Sequence, residues 1–250
     1  MATDAVGMTL PAPAAQSAQP AELGLVVRPA WPESYEATKR VLDVAFALLM
    51  LLCLSPLLAL CAAAVAFETG LPVLFRQERI GRHGRRFTLL KFRSMKIDAD
   101  ADVHRRYITA YIAGQLPPQS APAQGSESAG PRPVYKLTQD PRVTRVGALL
   151  RRTSMDELPQ LWNVLRGEMS LVGPRPPVAY EVEQYKPSHL RRLDVQPGLT
   201  GLWQVRGRGR TTFEEMVAMD VDYIARRSLS LDVQIILRTL PAVLLRKGAH

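Results

Sequence analysis

The chain has 250 residues and carries 32 lysines and arginines against 23 aspartates and glutamates, a formal net charge of +9. This length is enough for one sizeable domain with appendages. The positive charge favours anionic partners such as nucleic acid, an anionic membrane surface or phosphate-bearing small molecules. Only two cysteines, Cys53 and Cys61, are present, and the four histidines are scattered, which argues against a disulfide framework or a zinc site.

Two segments have a composition that cannot form a packed core. Residues 1–37 are rich in alanine, proline and glutamine and predict a disordered tail. No charged start leads directly into a short apolar core, so the tail does not resemble a signal peptide. Residues 114–133, "GQLPPQSAPAQGSESAGPRP", predict a low-complexity insertion.

An apolar run from Val41 to Phe67 is the candidate membrane segment. As a straight helix it would be about 40 Å long, enough to cross a hydrocarbon core of about 30 Å. Pro56 interrupts this helix, and Ser55 can hydrogen-bond back to a carbonyl that the kink strains. The arms on either side would be about 22 Å and 17 Å long, so neither crosses alone.

Basic residues flank the apolar run on both sides. Lys39 and Arg40 precede it, and eight basic residues follow: Arg76, Arg79, Arg82, Arg85, Arg86, Lys91, Arg93 and Lys96. This pattern suits a re-entrant hairpin whose two ends face the cytoplasm. A kinked transmembrane span fits the residues equally well, and a buried helix of a soluble domain is a third interpretation.

The remaining elements predict a helix-rich α+β fold with a small sheet. "RRFTLLKFRSM", residues 85–95, alternates as a strand does. Helices are predicted at "DADADVHRRYITAYI", at "VTRVGALLRR" and on past Asp156, and at "TTFEEMVAMDVDYIARR". The amphipathic segment "LDVQIILRTLPAVLLRK" suits a membrane interface or a core-packed terminal helix.

Asp156 and Glu157 stand side by side in "TSMDELP". Ser154 and Glu157 have the spacing of a capping box, which would make both acids part of a helix start. Alternatively, two carboxylates suit Mg²⁺, and an aspartate can attack phosphorus as a nucleophile. Pro159 weakens the capping interpretation because it would fall one turn into the helix.

Arginines near the acids could cancel the charge of a phosphate. Arg151 precedes the pair, and Arg175 lies in "VGPRPP", where prolines fix the backbone around it. The loop "PGLTGLWQVRGRGR" adds Arg208 among glycines that allow close backbone approach. A surface turn with a solvated arginine and a flexible basic loop are the plain alternatives. The Walker pattern GxxxxGK(S/T) and the dinucleotide fingerprint GxGxxG are both absent.

In combination these motifs resemble the monotopic phosphoglycosyl transferases, or bacterial sugar transferases, which prime exopolysaccharide and related glycan synthesis. The resemblance runs from about Thr38 to Lys247. It rests on four motifs in order: "KRVLDVAFALLMLLCLSPLLAL", "RIGRHGRRFTLLKFRSM", "TSMDELPQLWNVLRGEMSLVGPRP" and "PGLTGLWQVRGR".

The resemblance implies a monotopic protein of the bacterial inner membrane. Residues 38–69 would form a re-entrant helix broken at Ser55 and Pro56, and residues 70–250 a catalytic domain on the cytoplasmic face. Interfacial amphipathic helices would support this domain on the bilayer. The chain would correspond to a short form, without the N-terminal membrane helices of longer members.

The resemblance also implies a mechanism. Asp156 would attack the sugar-bearing phosphate of a UDP-sugar and expel UMP, and a polyprenyl phosphate would then accept the phosphosugar. Asp156 and Glu157 would hold Mg²⁺. The side chains implied around the phosphates are Lys91, Arg151, Arg175 and Arg208.

Substrate details are less constrained. Glucose and galactose are the favoured sugars, but the insertion and Arg206, where the family often has a small polar residue, are departures from the pattern. One competing function is a glycosyltransferase that releases UDP. Another is a non-catalytic basic protein that binds membrane or nucleic acid, although the chain lacks helix-turn-helix and RNA-binding motifs, so no nucleic acid partner is expected.

Overall fold

The computed structural model describes residues 33–96, 101–115, 142–207 and 211–244. Most of the predicted tail, almost all of the predicted insertion, and Arg208 lie outside these residues. The helices are α1 (Glu33–Cys53), α2 (Ser55–Thr69), α3 (Ala101–Ile112), α4 (Arg145–Thr153), α5 (Gln160–Arg166), α6 (Ala179–Val182), α7 (Pro187–Leu190), α8 (Leu202–Arg206), α9 (Phe213–Arg226) and α10 (Leu229–Leu244). The strands are β1 (Leu74–Ile80), β2 (Arg86–Phe92), β3 (Ser170–Val172) and β4 (Gly198–Thr200).

Helices α1 and α2 form a bent pair with an angle of 64° between them. Pro56 lies in the first turn of α2, where a missing amide hydrogen costs little. The Ser55 hydroxyl donates to the Leu52 carbonyl at 2.8 Å, as the sequence predicted. Helix α1 begins at Glu33, five residues before the predicted start of the membrane segment at residue 38; its first turns are polar and carry no apolar signal.

The strands form two small sheets, where the sequence predicted one. Strand β2 pairs antiparallel with β1, with Phe75 opposite Lys91. Phe87 and Leu89 of β2 are buried while Thr88 is exposed, which confirms the predicted alternation. Strands β3 and β4 are parallel and only three residues long, too short for a recognisable pattern.

The main hydrophobic core lies between helix α1 and helices α9 and α10. Side chains of α1, β2, α5, β3, α9 and α10 meet there, with members that include Ala47, Val164, Leu171, Tyr223 and Ile235. A second cluster joins α3 to α8 and α9. A third joins α2 to β2 and α4 through Cys61, Val65, Phe92 and Leu150.

Polar contacts fix the helix pair on the rest of the protein. Lys39 forms a buried ion pair with Asp232 of α10 at 2.6 Å. Arg40 donates to the carbonyls of Val164 and Leu165 at the end of α5. These contacts orient α1, so its apolar continuation leaves the domain in a fixed direction.

Helix α10 packs against the main core, which is one of the two alternatives left open by its amphipathic sequence. Ile235 is buried in the main core, whereas Val233 and Leu237 are more than half exposed on the other side. The helix therefore packs along one face and presents apolar side chains on the other.

Candidate active site

Asp156 lies in a short 3₁₀ turn, Met155–Glu157, between α4 and α5. Helix α4 ends at Thr153 because Ser154 takes a left-handed conformation (φ 56°, ψ 17°), which is uncommon for a residue with a side chain. The prediction of a helix continuing past Asp156 was therefore wrong. Pro159 precedes α5 directly, so both ends of the turn are fixed.

The capping-box interpretation of "SMDE" was also wrong. An N-cap residue normally has an extended conformation, and its side chain accepts an amide hydrogen. Ser154 is left-handed, and its side chain makes no capping hydrogen bond. The Asp156 side chain is only 7% exposed, while that of Glu157 is half-buried beside it. Capping therefore does not account for the paired acids.

Lys91 lies near the end of β2, which contacts the turn that carries Asp156. Its ammonium nitrogen is 5.0 Å from the centre of the Phe75 ring on the neighbouring strand. Burial lowers the pKa of Lys91 to about 8, against the opposing effect of the Asp156 carboxylate. The arginines that add to the lowering are Arg79, Arg175 and Arg151.

Lys91 interacts electrostatically with three other residues of the predicted site, namely Asp156, Arg151 and Arg175. Lys91, Arg151 and Arg175 come from different parts of the chain, yet all lie close enough to interact through their charges at one place. The Asp156 carboxylate acts on Lys91 as well, with the opposite sign, so this region contains one buried carboxylate and several cations. Such an arrangement neutralises the phosphates that a carboxylate nucleophile would otherwise repel.

The loop that carries Arg175 is held unusually firmly. Four consecutive carbonyl oxygens, from Pro174 to Pro177, each accept a hydrogen bond from elsewhere in the chain. The donors in order are Gly198 N at 2.8 Å, Arg192 Nη2 at 3.3 Å, Arg79 Nη1 at 2.9 Å and Ile80 N at 2.9 Å. Together with the prolines, these bonds fix the backbone from which Arg175 extends.

Three buried charged residues of this region were not predicted from the sequence to belong to the candidate site. Arg79, Glu181 and Arg192 are each no more than 5% exposed. Arg79 was noted only as one of many flanking basic residues, and the other two lie in ordinary charged stretches. Their charge was visible, but their burial depends on contacts between distant segments that no local pattern reveals.

Arg192 connects the loop to α9. Its Nε donates to Asp220 at 2.8 Å, and its Nη1 donates to the Tyr185 hydroxyl at 2.6 Å. Burial raises the pKa of Asp220 to about 6, and the neighbouring guanidinium limits this rise. The pair is almost wholly buried, so it acts as a rigid support for the loop.

Asp156 and Glu157 are the carboxylates that could hold a metal ion. Within the ranges that the structure describes, no group of three or more histidine, cysteine, aspartate or glutamate side chains could hold one. Mg²⁺ is commonly bound by one or two carboxylates, with waters and substrate phosphates completing its shell. By donor chemistry, the two carboxylates are of the type that suits Mg²⁺.

Ser55 and Pro56 lie at the bend of the helix pair. No single described helix is long and apolar enough to cross a bilayer, but α1 and α2 together meet the criteria of length and composition. Large apolar side chains stand exposed along both helices: Val41, Leu42, Phe46, Leu48, Leu49, Leu52, Leu60 and Phe67. Such a surface is typical of contact with a membrane or with another protein.

Helix α2 is linked directly to the helix that precedes Asp156. The Glu68 carboxylate accepts the amide hydrogens of Arg145 and Val146 at 2.8 and 2.9 Å. These amides begin α4, where the helix dipole favours a negative charge. The end of the apolar pair and the Asp156 turn therefore have a defined relative position.

Comparison with known proteins identifies the family. The model for the family described as bacterial sugar transferase matches residues 34–246. The exopolysaccharide production protein ExoY of Sinorhizobium fredii is 42% identical over 85% of this chain and 88% of its own length. The UDP-glucose:undecaprenyl-phosphate glucose-1-phosphate transferase of Caulobacter vibrioides is 41% identical over 92% of this chain and 82% of its own length.

A longer relative matches over part of its length. The galactosyl transferase CpsE of Streptococcus agalactiae is 41% identical over 86% of this chain, which spans 44% of the CpsE sequence. The matched region includes the apolar helix pair, the Asp156 turn and the Arg175 loop. The chain therefore belongs to the bacterial sugar transferase family, as its four motifs indicated.

Proposed function

We propose that the protein transfers a sugar-1-phosphate from a UDP-sugar to a polyprenyl phosphate, as the first membrane step of exopolysaccharide or related glycan synthesis. The observation that carries this proposal is the buried Asp156 carboxylate, which interacts electrostatically with Lys91 in the same region as two arginines. Lys91, Arg151 and Arg175 act on the same place. This combination suits a carboxylate that attacks a phosphate ester.

The reaction would proceed in two displacements at one phosphorus atom. A carboxylate oxygen of Asp156 attacks the sugar-bearing phosphorus, and the bond from this phosphorus to the bridging oxygen breaks. UMP leaves with the electron pair of that bond. An oxygen of the polyprenyl phosphate then attacks the aspartyl-phosphosugar, which releases polyprenyl-diphosphate-sugar and restores the carboxylate.

The cations have separate roles in these steps. Arg175, on its fixed loop, binds the diphosphate in the geometry that a planar guanidinium favours. Lys91 and Arg151 offset the charge that accumulates as the nucleophile approaches. Asp156 and Glu157 would hold Mg²⁺, which when bound neutralises phosphate oxygens and supports departure of UMP.

The apolar helix pair would insert as a re-entrant hairpin, with the catalytic domain on the cytoplasmic face of the bacterial inner membrane. The 64° bend and the exposed apolar side chains of both helices support this arrangement. The exposed face of α10 suits an interfacial helix. Glu68, which accepts from the first amides of α4, would then hold the helix that precedes the Asp156 turn in a set position relative to the hairpin.

Glucose and galactose are the sugars that the relatives favour. The Caulobacter relative is named for UDP-glucose and undecaprenyl phosphate, and CpsE is named as a galactosyl transferase. We therefore propose UDP-glucose or UDP-galactose as donor and undecaprenyl phosphate as acceptor.

Nucleotide release by the membrane-embedded protein tests the proposal. Purified protein receives Mg²⁺, undecaprenyl phosphate and one UDP-sugar at a time, with Asp156→Asn in parallel. Release of UMP with one sugar, and its loss in the variant, would support phosphosugar transfer and name the donor. Release of UDP, or equal rates for the two proteins, would contradict it.

A further inference from the structure

Asn163 is a buried polar residue that the proposed reaction does not use. It lies in α5, the helix that follows the Asp156 turn, and is 1% exposed. A buried amide is costly unless its donors and its acceptor have partners. The partners of Asn163 therefore indicate which parts of the fold it joins.

The Asn163 side chain makes three hydrogen bonds. Its Oδ1 accepts from the main-chain amide of Leu90 at 3.1 Å, and its Nδ2 donates to the carbonyl of Thr88 at 2.7 Å. Nδ2 also donates to Glu168 Oε2 at 2.6 Å. Because both amide hydrogens and the oxygen are used, the side chain is held in one orientation.

Two of these bonds close the outer edge of β2. The Arg93 amide donates to the Val73 carbonyl across the sheet, in register with the pairing of β1 and β2. Main-chain groups alternate in direction along a strand, so those of Thr88 and Leu90 face away from β1. Among the described residues, β2 has one neighbouring strand, and the Asn163 amide takes the place of a second.

This contact joins two segments that carry residues of the proposed site. Leu90 directly precedes Lys91 on β2, and α5 begins at Gln160, four residues after Asp156. Strand β2 also contacts the Asp156 turn itself. A side-chain amide that fixes α5 against β2 therefore fixes the backbone positions from which Asp156 and Lys91 extend.

We infer that Asn163 is a positioning residue, whose side-chain amide holds β2 against α5 and so sets the position of Lys91 relative to Asp156. In the proposed reaction, Lys91 offsets the charge that accumulates as the carboxylate approaches the phosphate. Because a small displacement of such a group reduces the rate strongly, the effect belongs mainly to turnover. This inference rests on the proposed function.

The test compares two variants in the UMP-release assay. Asn163→Ala removes both bonds to β2, so we expect kcat to fall at least about tenfold while KM for the UDP-sugar changes by less than about threefold. Gln196→Ala is the matched control. It removes another amide side chain, which donates at 2.7 Å to the carbonyl of Gly167 at the end of α5 and not to β2. Its kcat should stay within about twofold of wild type.

A double-mutant cycle separates positioning from a general loss of stability. In a Lys91→Met background, Asn163→Ala should reduce kcat by less than about threefold further, because Asn163 acts through Lys91. Hydrogen exchange of the peptide that contains Leu90 should be faster in Asn163→Ala, while peptides of α9 exchange as in wild type. Faster exchange throughout both peptides would overturn the inference, as would independent, multiplicative losses of kcat.

A wild-type kcat in Asn163→Ala, or an equal fall in Gln196→Ala, would also overturn it. If Asn163→Ala fails to fold, Asn163→Asp is carried through the same cycle with the same criterion. This variant keeps the side-chain shape and the acceptor for Leu90 but loses the donor to Thr88. UMP release by wild type tests the proposed function separately, so an unchanged kcat in the variants would contradict the role of Asn163 alone.

Discussion

At the scale of single residues, Lys91 is subject to opposing forces. Burial and three neighbouring arginines favour its neutral form, whereas Asp156 favours its charged form. The resulting pKa is about 8. Below that pH the ammonium group is present beside Asp156, and above it the group becomes neutral. Near pH 8, a small change in pH therefore changes the positive charge that Lys91 can offer to a phosphate.

We predict that kcat/KM for UMP release falls as the pH rises through about 8, because Lys91 then loses its charge. Lys91→Arg should move this alkaline limb to higher pH, even if its maximal rate is lower, because a guanidinium remains charged there. The measurement is a pH profile of both proteins. An unchanged limb in Lys91→Arg would show that another group titrates.

The residues of the site differ in how far the sequence could predict them. Asp156, Arg151 and Arg175 lie within one short stretch, and family motifs identified them with Lys91. Arg79 and Glu181 become significant only when β1 and α6 meet. The left-handed conformation of Ser154, which ends α4, could not be predicted, because the residues around it match the spacing of a capping box. Arg208 lies outside the described residues, and the catalytic and binding roles of all these residues stay predictions.

At the scale of elements, long segments with a clear period were predictable. Strand β2 and helices α3, α4, α9 and α10 were found, because burial of one face imposes a pattern over many residues. Strand β1 was missed, since Arg76, Glu78 and Arg79 dominate its sequence. The short elements α6, α7, β3 and β4 depend on tertiary contacts and had no pattern to detect.

Glu68 joins the helix pair to α4, the helix that precedes the Asp156 turn. Glu68→Gln removes a charge from the start of α4, so we expect a loss of about 0.3–1 kcal/mol in the free energy of unfolding. Denaturant unfolding of the detergent-solubilised protein measures it. Glu78→Gln, which alters an exposed ion pair with Arg86, is the control and should change stability less. A larger effect in the control would contradict this assignment.

We propose that the bend at Ser55 and Pro56 sets the membrane topology of the helix pair. We predict that N-terminal and C-terminal tags on the wild-type protein both become accessible only after the inner membrane is permeabilised. Replacing both residues, as Ser55→Ala with Pro56→Leu, should straighten the pair and expose the N-terminal tag outside in part of the population. Tag-specific protease digestion of spheroplasts measures accessibility. An N-terminal tag exposed in wild type would show a transmembrane span.

At the scale of the whole molecule, the first helix is joined to the last. Lys39 and Asp232 form a buried ion pair across the main core, and the Tyr223 hydroxyl also donates to Asp232 at 2.7 Å. Arg227 pairs with Glu36 nearby. Helix α1 is thus tied to the C-terminal part of the described domain by these ion pairs.

We predict that Lys39→Met lowers the free energy of unfolding by about 3–5 kcal/mol, because it leaves the Asp232 charge buried without its cation. Adding Asp232→Asn should recover most of this loss, since the amide can still accept from Tyr223. Unfolding in detergent micelles compares the three proteins. A double variant as unstable as the single one would show that the lost charge is not the cause.

The measurement that tests the central proposal most directly is mass spectrometry of the protein after mixing with Mg²⁺ and UDP-sugar in the absence of polyprenyl phosphate. We predict one equivalent of UMP and a phosphosugar attached to the peptide that contains Asp156. Addition of undecaprenyl phosphate should then remove the adduct. UMP release that requires the acceptor, with no adduct on Asp156 under any condition, would contradict a covalent aspartyl mechanism.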